Sequence, residues 1–476
     1  MSANNKVDNA DDHDLIYALD DKPAIGPAIY AGLQHVLASF VGIITPTLII
    51  GGVLGLGSHV PYLISMSLVV SGVGTFIQAR RIGPIGSGMI CVQGTSFAFL
   101  SSVLAAGFLA KSQGAGPEGI LAMIFGVCFV GAFIEIILSQ FIGKLHRIVT
   151  PVVTGIVVTT IGISLIKVGM TDLAGGVGAA DFGQWHNLIL GGVVLAVIVV
   201  LYRSNHLMVR LSAILVGMLV GYITAAIMGM VDFTNAFNQP LLSIPVPFKY
   251  GFDFDWYAFI PIAVIYTITA IESTGDLTAN CLITKLPVTG PAYFKRIQAG
   301  ILGDGFNSLL ASVFNTFPNT TFSQNNSVIH LTGIASRYVG YFVGIILFML
   351  GLFPIIGGIL TTIPKPVIGG ATLVMFGTVA AAGVKIIAQE QLDRRNLMIL
   401  AVSFGLGLGV MLVPEVMKEM PKVIQSVFGS AVTTSGIAAI VMSIILPNPK
   451  AKTESNLERQ AAKEDSLPAA AMQKIS

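Results

Sequence analysis

Hydrophobic positions in this chain come in long runs of about 20 residues, the length a helix needs to cross a bilayer, separated by short polar connections. Read this way, candidate spans lie near 28–52, 61–80, 86–109, 118–143, 151–171, 187–203 and 208–230, and a second set near 256–281, 293–314, 316–334, 338–360, 366–387, 396–413 and 424–446. The expected count is about fourteen, in two groups of seven. The tenth window breaks the pattern: Asn315 to Thr332 is crowded with amides and hydroxyls that lipid cannot satisfy, so it must face protein or water. Its first half, with Pro318 and the Thr320-Thr321-Phe322 run, predicts extended backbone, and a helical pattern resumes at Gln324. The expected object is a short strand feeding a half-helix at membrane depth, with free N–H groups and the positive dipole end pointing into a cavity.

An internal repeat supplies the architecture. Pro151-Val152-Val153-Thr154-Gly155 followed by Gly162 matches Pro366-Val367-Ile368-Gly369-Gly370 followed by Gly377, with the same spacing. These segments open spans 5 and 12. Seven spans separate them, an odd number, so equivalent helices run in opposite directions and the site is expected near the bilayer midplane. The repeat then predicts that span 3, the partner of span 10, is broken as well. Its sequence agrees, since Gly86 and Gly88 open it and Gln93, Thr95 and Ser96 stand where a span should be apolar. The fold expected is an all-α polytopic membrane protein, a 7+7 inverted repeat with short strands and half-helices in spans 3 and 10. Its site should lie between Ser96-Phe97 and Ser323-Gln324.

Composition agrees with that class. The 476 residues are 54% hydrophobic and only 11% charged, against roughly 25% charged in an ordinary soluble domain, and mean hydropathy is +0.82. A formal charge of +2 without a basic stripe excludes nucleic acid as a partner. Cys91, Cys128 and Cys281 sit in apolar stretches without metal-ligand spacing and read as packing residues. Residues 1–27 are acid-rich (Asp8, Asp11, Asp12, Asp14, Asp20, Asp21) and carry no cleavable leader pattern, so they are expected to form a cytoplasmic tail, as are residues 447–476.

Charge asymmetry orients the spans. With both termini inside, the cytoplasmic connections hold Arg80, Arg81, Lys144, Arg147, Arg203, Arg210, Lys285, Lys295, Arg296, Arg337, Lys385, Arg394 and Arg395; the other side holds Lys111, Lys167, Lys249, Lys365, Lys418 and Lys422. The positive-inside rule favours that orientation.

Ionisable residues inside spans are costly and mark functional candidates. Span 8 carries Glu272 and Asp276, whose separation of four stacks them on one helix face. Asp304, between Gly303 and Gly305 in span 9, reads equally as a helix-helix hydrogen-bond anchor or a proton site. Glu135 in span 4 reads as structural, within reach of Lys144 or Arg147. His35, after Gln34 in span 1, reads as polar support rather than a proton carrier, and His330 falls on a different helical face from Gln324. No nucleophile motif or ligand-spaced His/Asp/Glu group is present, so neither an enzyme nor a bound metal or cofactor is expected.

These residues carry a resemblance. Gln324-Asn325-Asn326-Ser327 through Thr332-Gly333 resembles the signature of the nucleobase-ascorbate transporter family, Gln34-His35 its first-span motif, and Glu272 to Asp276 its eighth-span acidic motif. The similarity runs from about residue 24 to 446 and is closest to bacterial xanthine permeases. One position departs: the signature glycine is Ser327 here. The resemblance implies a core domain (spans 1–4, residues 28–145, and spans 8–11, residues 256–360) moving against a gate domain (spans 5–7, residues 146–230, and spans 12–14, residues 361–446). It also implies a homodimer in the bacterial cytoplasmic membrane and proton symport. Carried over residue by residue, Glu272 and Gln324 hold the base, Phe97 packs on its ring, and backbone amides near Phe97 and Ser323 complete the site. Asp304 is an acid needed for transport, and Asp276, His35 and Asn325 are site support. A small hydroxyl residue before the aromatic, Ser96, goes in this family with acceptance of urate beside xanthine.

The chemistry suits a planar oxopurine. An ionised Glu272 only accepts hydrogen bonds while Gln324 donates and accepts, so the pair reads a mixed edge, with half-helix N–H groups taking the carbonyls. Burial gives a carboxylate the upward pKa shift that proton coupling needs, with Glu272 first candidate and Asp276 and Asp304 the alternatives. Uracil or another nucleobase is the nearest rival solute, and an inorganic-anion exchanger the nearest rival on such a plan, although a glutamate in the site repels an anion.

Overall fold

The structure, a computed structural model, describes residues 15–142, 150–232 and 240–446. Lys144 and Arg147, Asp8, Asp11, Asp12 and Asp14, and residues 447–476 lie outside the described residues. The helices and strands of the described residues group into fourteen segments along the chain. Spans 1 to 7 are Ile25–Leu54, Val60–Arg80, a broken span 3, Pro117–Ser139, Pro151–Leu173, Trp185–Tyr202 and Ala213–Ile227. Spans 8 to 14 are Trp256–Ile283, Gly290–Val313, a broken span 10, Arg337–Gly351, Lys365–Ala388, Arg394–Leu412 and the pair Lys422–Phe428 with Ala431–Ile445. Among the described residues, eight helices are long and apolar enough to cross a membrane unaided. The others are short, bent, broken or polar, and rely on neighbours to shield them.

Both broken spans have the expected form. Strand β1 (Gln93–Thr95) leads into a helical half-span, Phe97–Ser112, and strand β2 (Asn319–Thr321) leads into the half-helix Gln324–Thr332. The strands pair antiparallel, Gln93 opposite Thr321, Gly94 opposite Thr320 and Thr95 opposite Asn319. Ser96 N–H donates to the Pro318 carbonyl and Phe322 N–H to that of Val92, both at 2.9 Å, extending the ladder beyond each strand. The two interruptions therefore satisfy each other's backbone, and the half-helices leave this ribbon toward opposite sides.

The repeat-related spans 5 and 12 pack along their whole length. A Cβ on Gly155 would meet Ile387 and the Gly383 carbonyl; on Gly162, Ala380; on Gly169, Thr372 and Leu373; on Gly369, Leu173. Contact positions fall in one helix as they rise in the other, so the helices are antiparallel, in close contact along glycine-lined faces.

Three windows differ from straight spans. The window 338–360 is two helices, Arg337–Gly351 and Pro354–Thr361, meeting at 70°. Pro354 has no N–H for the ladder and disfavours helical backbone at Phe353, which is extended. The second of these helices also crosses the 360/361 domain boundary expected from sequence. The window 208–230 breaks at Ser212 and the window 424–446 at Gly429-Ser430.

The amino-terminal segment is not a free tail throughout. Leu15–Lys22 runs beside the connection from the half-helix to span 11: Ala335 N–H donates to the Tyr17 carbonyl and Arg337 N–H to that of Leu19, both at 2.9 Å. Arg337 forms an ion pair with Asp20. Leu19 is buried among Met89, Cys91, Cys281, Tyr293 and Ile297.

Candidate functional site

The ribbon carries Ser96 and Phe97 at one end and Ser323 and Gln324 at the other. Ser323 and Gln324 begin the half-helix of span 10, and Ser96 and Phe97 begin that of span 3. A helix cannot satisfy its first N–H groups internally, so both half-helices present donors near the ribbon. Span 8 packs against β2 and the half-helix. Asp276 accepts from the Thr321 hydroxyl at 3.2 Å, and its carbonyl accepts from the Asn326 amide at 3.1 Å. One turn away on the same face of span 8 lies Glu272, half-buried, with Oε2 buried and, among the described residues, without a hydrogen-bond partner.

Phe97 is buried and meets Phe376 of span 12 edge to face at 5.2 Å. An aromatic pair thus joins the span 3 half-helix to one of the glycine-packed helices. Ser96 is buried too, with its hydroxyl unpartnered. Gln324 and Ser323 are half-buried, and Ser327 is exposed one turn beyond Gln324 on the same face. Ser327 therefore adds a hydroxyl to the accessible face of the half-helix and does not tighten its packing.

Asp304 anchors a network more than it faces the site. Its carboxylate accepts from the side-chain amides of Gln78 and Gln93, each at 2.7 Å, and from the Ser273 hydroxyl. Ser273 also meets the Thr320 hydroxyl at 3.1 Å, and the Asn307 amide donates to Gln93 Oε1 at 3.3 Å. One buried acid thereby ties spans 2, 8 and 9 to the ribbon.

His35 and Asn325 meet behind the half-helix. Asn325 Nδ2 lies 3.0 Å from His35 Nδ1 and 3.2 Å from its carbonyl, while His35 Nε2 and Gln34 Oε1 are buried without partners among the described residues. Donation by Asn325 makes Nδ1 the acceptor and leaves the proton of a neutral ring on Nε2. His330 is exposed, away from this contact. Glu135 is buried, and neither of its oxygens has a hydrogen-bond partner among the described residues.

Two features escaped sequence reasoning. Phe322 lies over Gly42 and Gly94, where added Cβ atoms would come within 2.7 and 2.6 Å of its ring. The signal available was a bulky ring beside Ser323 with glycines in both facing segments. At the ends of spans 5 and 12 opposite the termini, Lys365 Nζ lies 3.9 Å from Asp172 and over Gly52 of span 1. Gln78, the remaining partner of Asp304, was legible only as an isolated amide in an apolar span.

Comparison with known proteins places this geometry. Residues 26–416 match the model of the Permease family. Xanthine permease XanP of Escherichia coli (strain K12) is 43% identical over 442 residues, covering 92% of this chain and 96% of the relative. Xanthine permease XanQ of the same strain is 43% identical over 438 residues, covering 91% and 94%. Among solved structures, the transmembrane domain of a cyanobacterial bicarbonate transporter, BicA, superposes with a TM-score of 0.54 at 14% identity, covering 88% of this chain and 96% of that one. At that identity the likeness speaks for the fold alone.

Proposed function

The chain belongs to the Permease family of nucleobase-ascorbate transporters, a family of multi-pass membrane proteins, and from that premise we propose that it imports xanthine, and uric acid as well, by proton symport. The observation that carries the reading is that span 8, the helix of Glu272, packs against strand β2 and the half-helix that begins at Gln324, in a chain 43% identical to xanthine permeases. An oxopurine edge alternates N–H and carbonyl groups. Glu272 takes the N–H, Gln324 takes either, and the N–H groups before Gln324 and Phe97 take carbonyl oxygen. Phe97 offers its ring to the flat face of the solute. Ser96, with its small side chain and unpartnered hydroxyl, leaves room for the additional carbonyl of urate.

Transport follows from movement of the core domain, spans 1–4 and 8–11, against the gate domain, spans 5–7 and 12–14. The packing supports this division, since Asp304 and the ribbon bind the core together while spans 5 and 12 form the spine of the gate. The protein acts in the bacterial inner membrane with both termini in the cytoplasm, as a homodimer and without a cofactor, the proton being its coupling ion. A rival reading as anion exchanger has only the fold in its favour, because Glu272 repels an inorganic anion. No cluster of residues able to hold a metal occurs among the described residues, and the reading requires no chemical change in the solute.

The test is uptake of labelled xanthine by cells expressing the protein, with and without a protonophore, in competition with urate, uracil, adenine and ascorbate. Protonophore-sensitive uptake, blocked by urate and not by uracil, is expected. Absence of xanthine uptake by protein shown to reach the membrane would overturn the reading.

A further inference from the structure

Glu135 stands apart from the residues that hold the solute and has an unusual environment. Span 4 presses it against span 9: a Cβ on Gly305 would come within 2.9 Å of Ile136 N and 3.4 Å of the Glu135 carbonyl carbon. The side chain is 1% exposed, and both carboxyl oxygens lack a hydrogen-bond partner among the described residues. The neighbouring ionisable groups that act on it are Asp304 of span 9, Glu272 of span 8 and Tyr266 of span 8. Among the described residues none of them is a cation. Tyr266 gives its hydroxyl hydrogen to the Cys128 carbonyl at 3.0 Å and so does not serve Glu135.

A buried carboxylate with no donor and with acids beside it is strongly disfavoured, so the neutral acid is the form this pocket holds. Asp304 differs, because three donors converge on its carboxyl oxygens. The pocket therefore stores a proton one residue from the network that leads through Ser273 and Thr320 to the ribbon. Glu135 is also four residues from the end of span 4 on the side of the termini, about 6 Å at the helical rise.

We propose that Glu135 carries the coupling proton on its way out. The assignment rests on the proton-symport reading above and names the residue that serves it. In the conformation described here the proton is held as the carboxylic acid. When the domains move and water reaches the end of span 4, the O–H bond breaks, the proton passes to water on the terminal side, and a solvated carboxylate remains. The acid re-forms by taking a proton that entered with the solute from the opposite side, one proton bound and one released per cycle.

Glu135→Gln keeps the shape and removes the titrating group. Purified wild-type and E135Q proteins in liposomes are compared for exchange of labelled against unlabelled xanthine, which needs no net proton movement, and for accumulation driven by an imposed pH gradient. E135Q is expected to exchange at close to the wild-type rate and to lose accumulation at least tenfold, with Glu135→Asp recovering part of it. Wild-type accumulation by E135Q overturns the assignment. Loss of exchange together with a lowered unfolding temperature makes Glu135 a packing residue and also overturns it. Wild-type accumulation indifferent to the pH gradient would defeat the symport reading itself, a failure distinguished by appearing before any substitution is made.

Discussion

Substituting Gly94 by alanine tests whether the crossing of span 1 and the ribbon sets the position of the solute amide. A Cβ there would lie 2.6 Å from Phe322 Cζ, 2.7 Å from Cε1 and 2.8 Å from Ile43 Cγ1, short of ordinary carbon-carbon contact by about 1 Å. The ring has little room toward span 1, because it lies so near Gly42 that even a Cβ there would come within 2.7 Å of Cε2. Nor can it withdraw with its own backbone, because Phe322 N–H is bonded to the Val92 carbonyl. Overpacking of this kind costs about 1–3 kcal/mol, and the compliant part is the start of the half-helix, Ser323 and Gln324. If most of that strain falls on the site, the loss at roughly 1.4 kcal/mol per decade is on the order of tenfold in solute affinity. The assay is the KM of xanthine uptake, normalised to protein in the membrane, for Gly94→Ala and for the double variant Gly94→Ala/Phe322→Leu. KM should rise about tenfold in the single variant and mostly recover when the smaller side chain makes room. A single variant with wild-type KM and wild-type unfolding temperature would refute the reasoning.

Other outcomes follow from the same geometry. Asp304→Asn turns one of the two accepting oxygens into a donor, facing Ser273 or the two glutamine amides, and should cost about 1–3 kcal/mol, seen as a lower unfolding temperature in detergent; lost transport at unchanged stability would instead make Asp304 a proton site. Leu19→Ala should destabilise by about 2 kcal/mol, the low end for a buried leucine at the edge of a core, and an unchanged unfolding temperature would mean that the amino-terminal segment is not docked. Lys365→Met leaves Asp172 buried without its cation and should lower stability by about 1–2 kcal/mol, discounted because the lysine is partly exposed. Adding Asp172→Asn should restore most of it, and additive losses in the double variant would show that the two side chains are not coupled.

What was legible in the sequence was whatever left a local mark. Pro318, the hydroxyl run and the resumption at Gln324 announced a strand and half-helix because polar backbone at membrane depth has few other solutions. The repeat of Pro151 and Pro366 announced opposed helices because it counts chain reversals and not contacts. Asp304 stayed ambiguous between anchor and proton site, since the donors that surround it come from Gln78, Gln93 and Ser273, on three separate segments. The packing of Glu135 against Gly305 of another span left no mark in the sequence, and Lys144 and Arg147, its expected partners, lie outside the described residues. The bend at Pro354 was hidden by hydropathy, which averages over a break that only one missing N–H and one extended residue create.

The two antiparallel contacts explain why the site lies where it does. An inverted repeat places its pseudo-twofold axis through elements that pair with their own counterparts. Here those are β1 with β2, around Gly94 and Thr320, and span 5 with span 12, around Gly162 and Ala380. One pair belongs to the proposed core and the other to the proposed gate, so the line between them is where each domain presents its most symmetric surface to the other. Phe97 and Phe376 meet on that line. A rotation that opens one side closes the other while this centre stays almost fixed. On the proposed mechanism, a solute held there is exposed alternately to both sides without leaving the residues proposed to bind it.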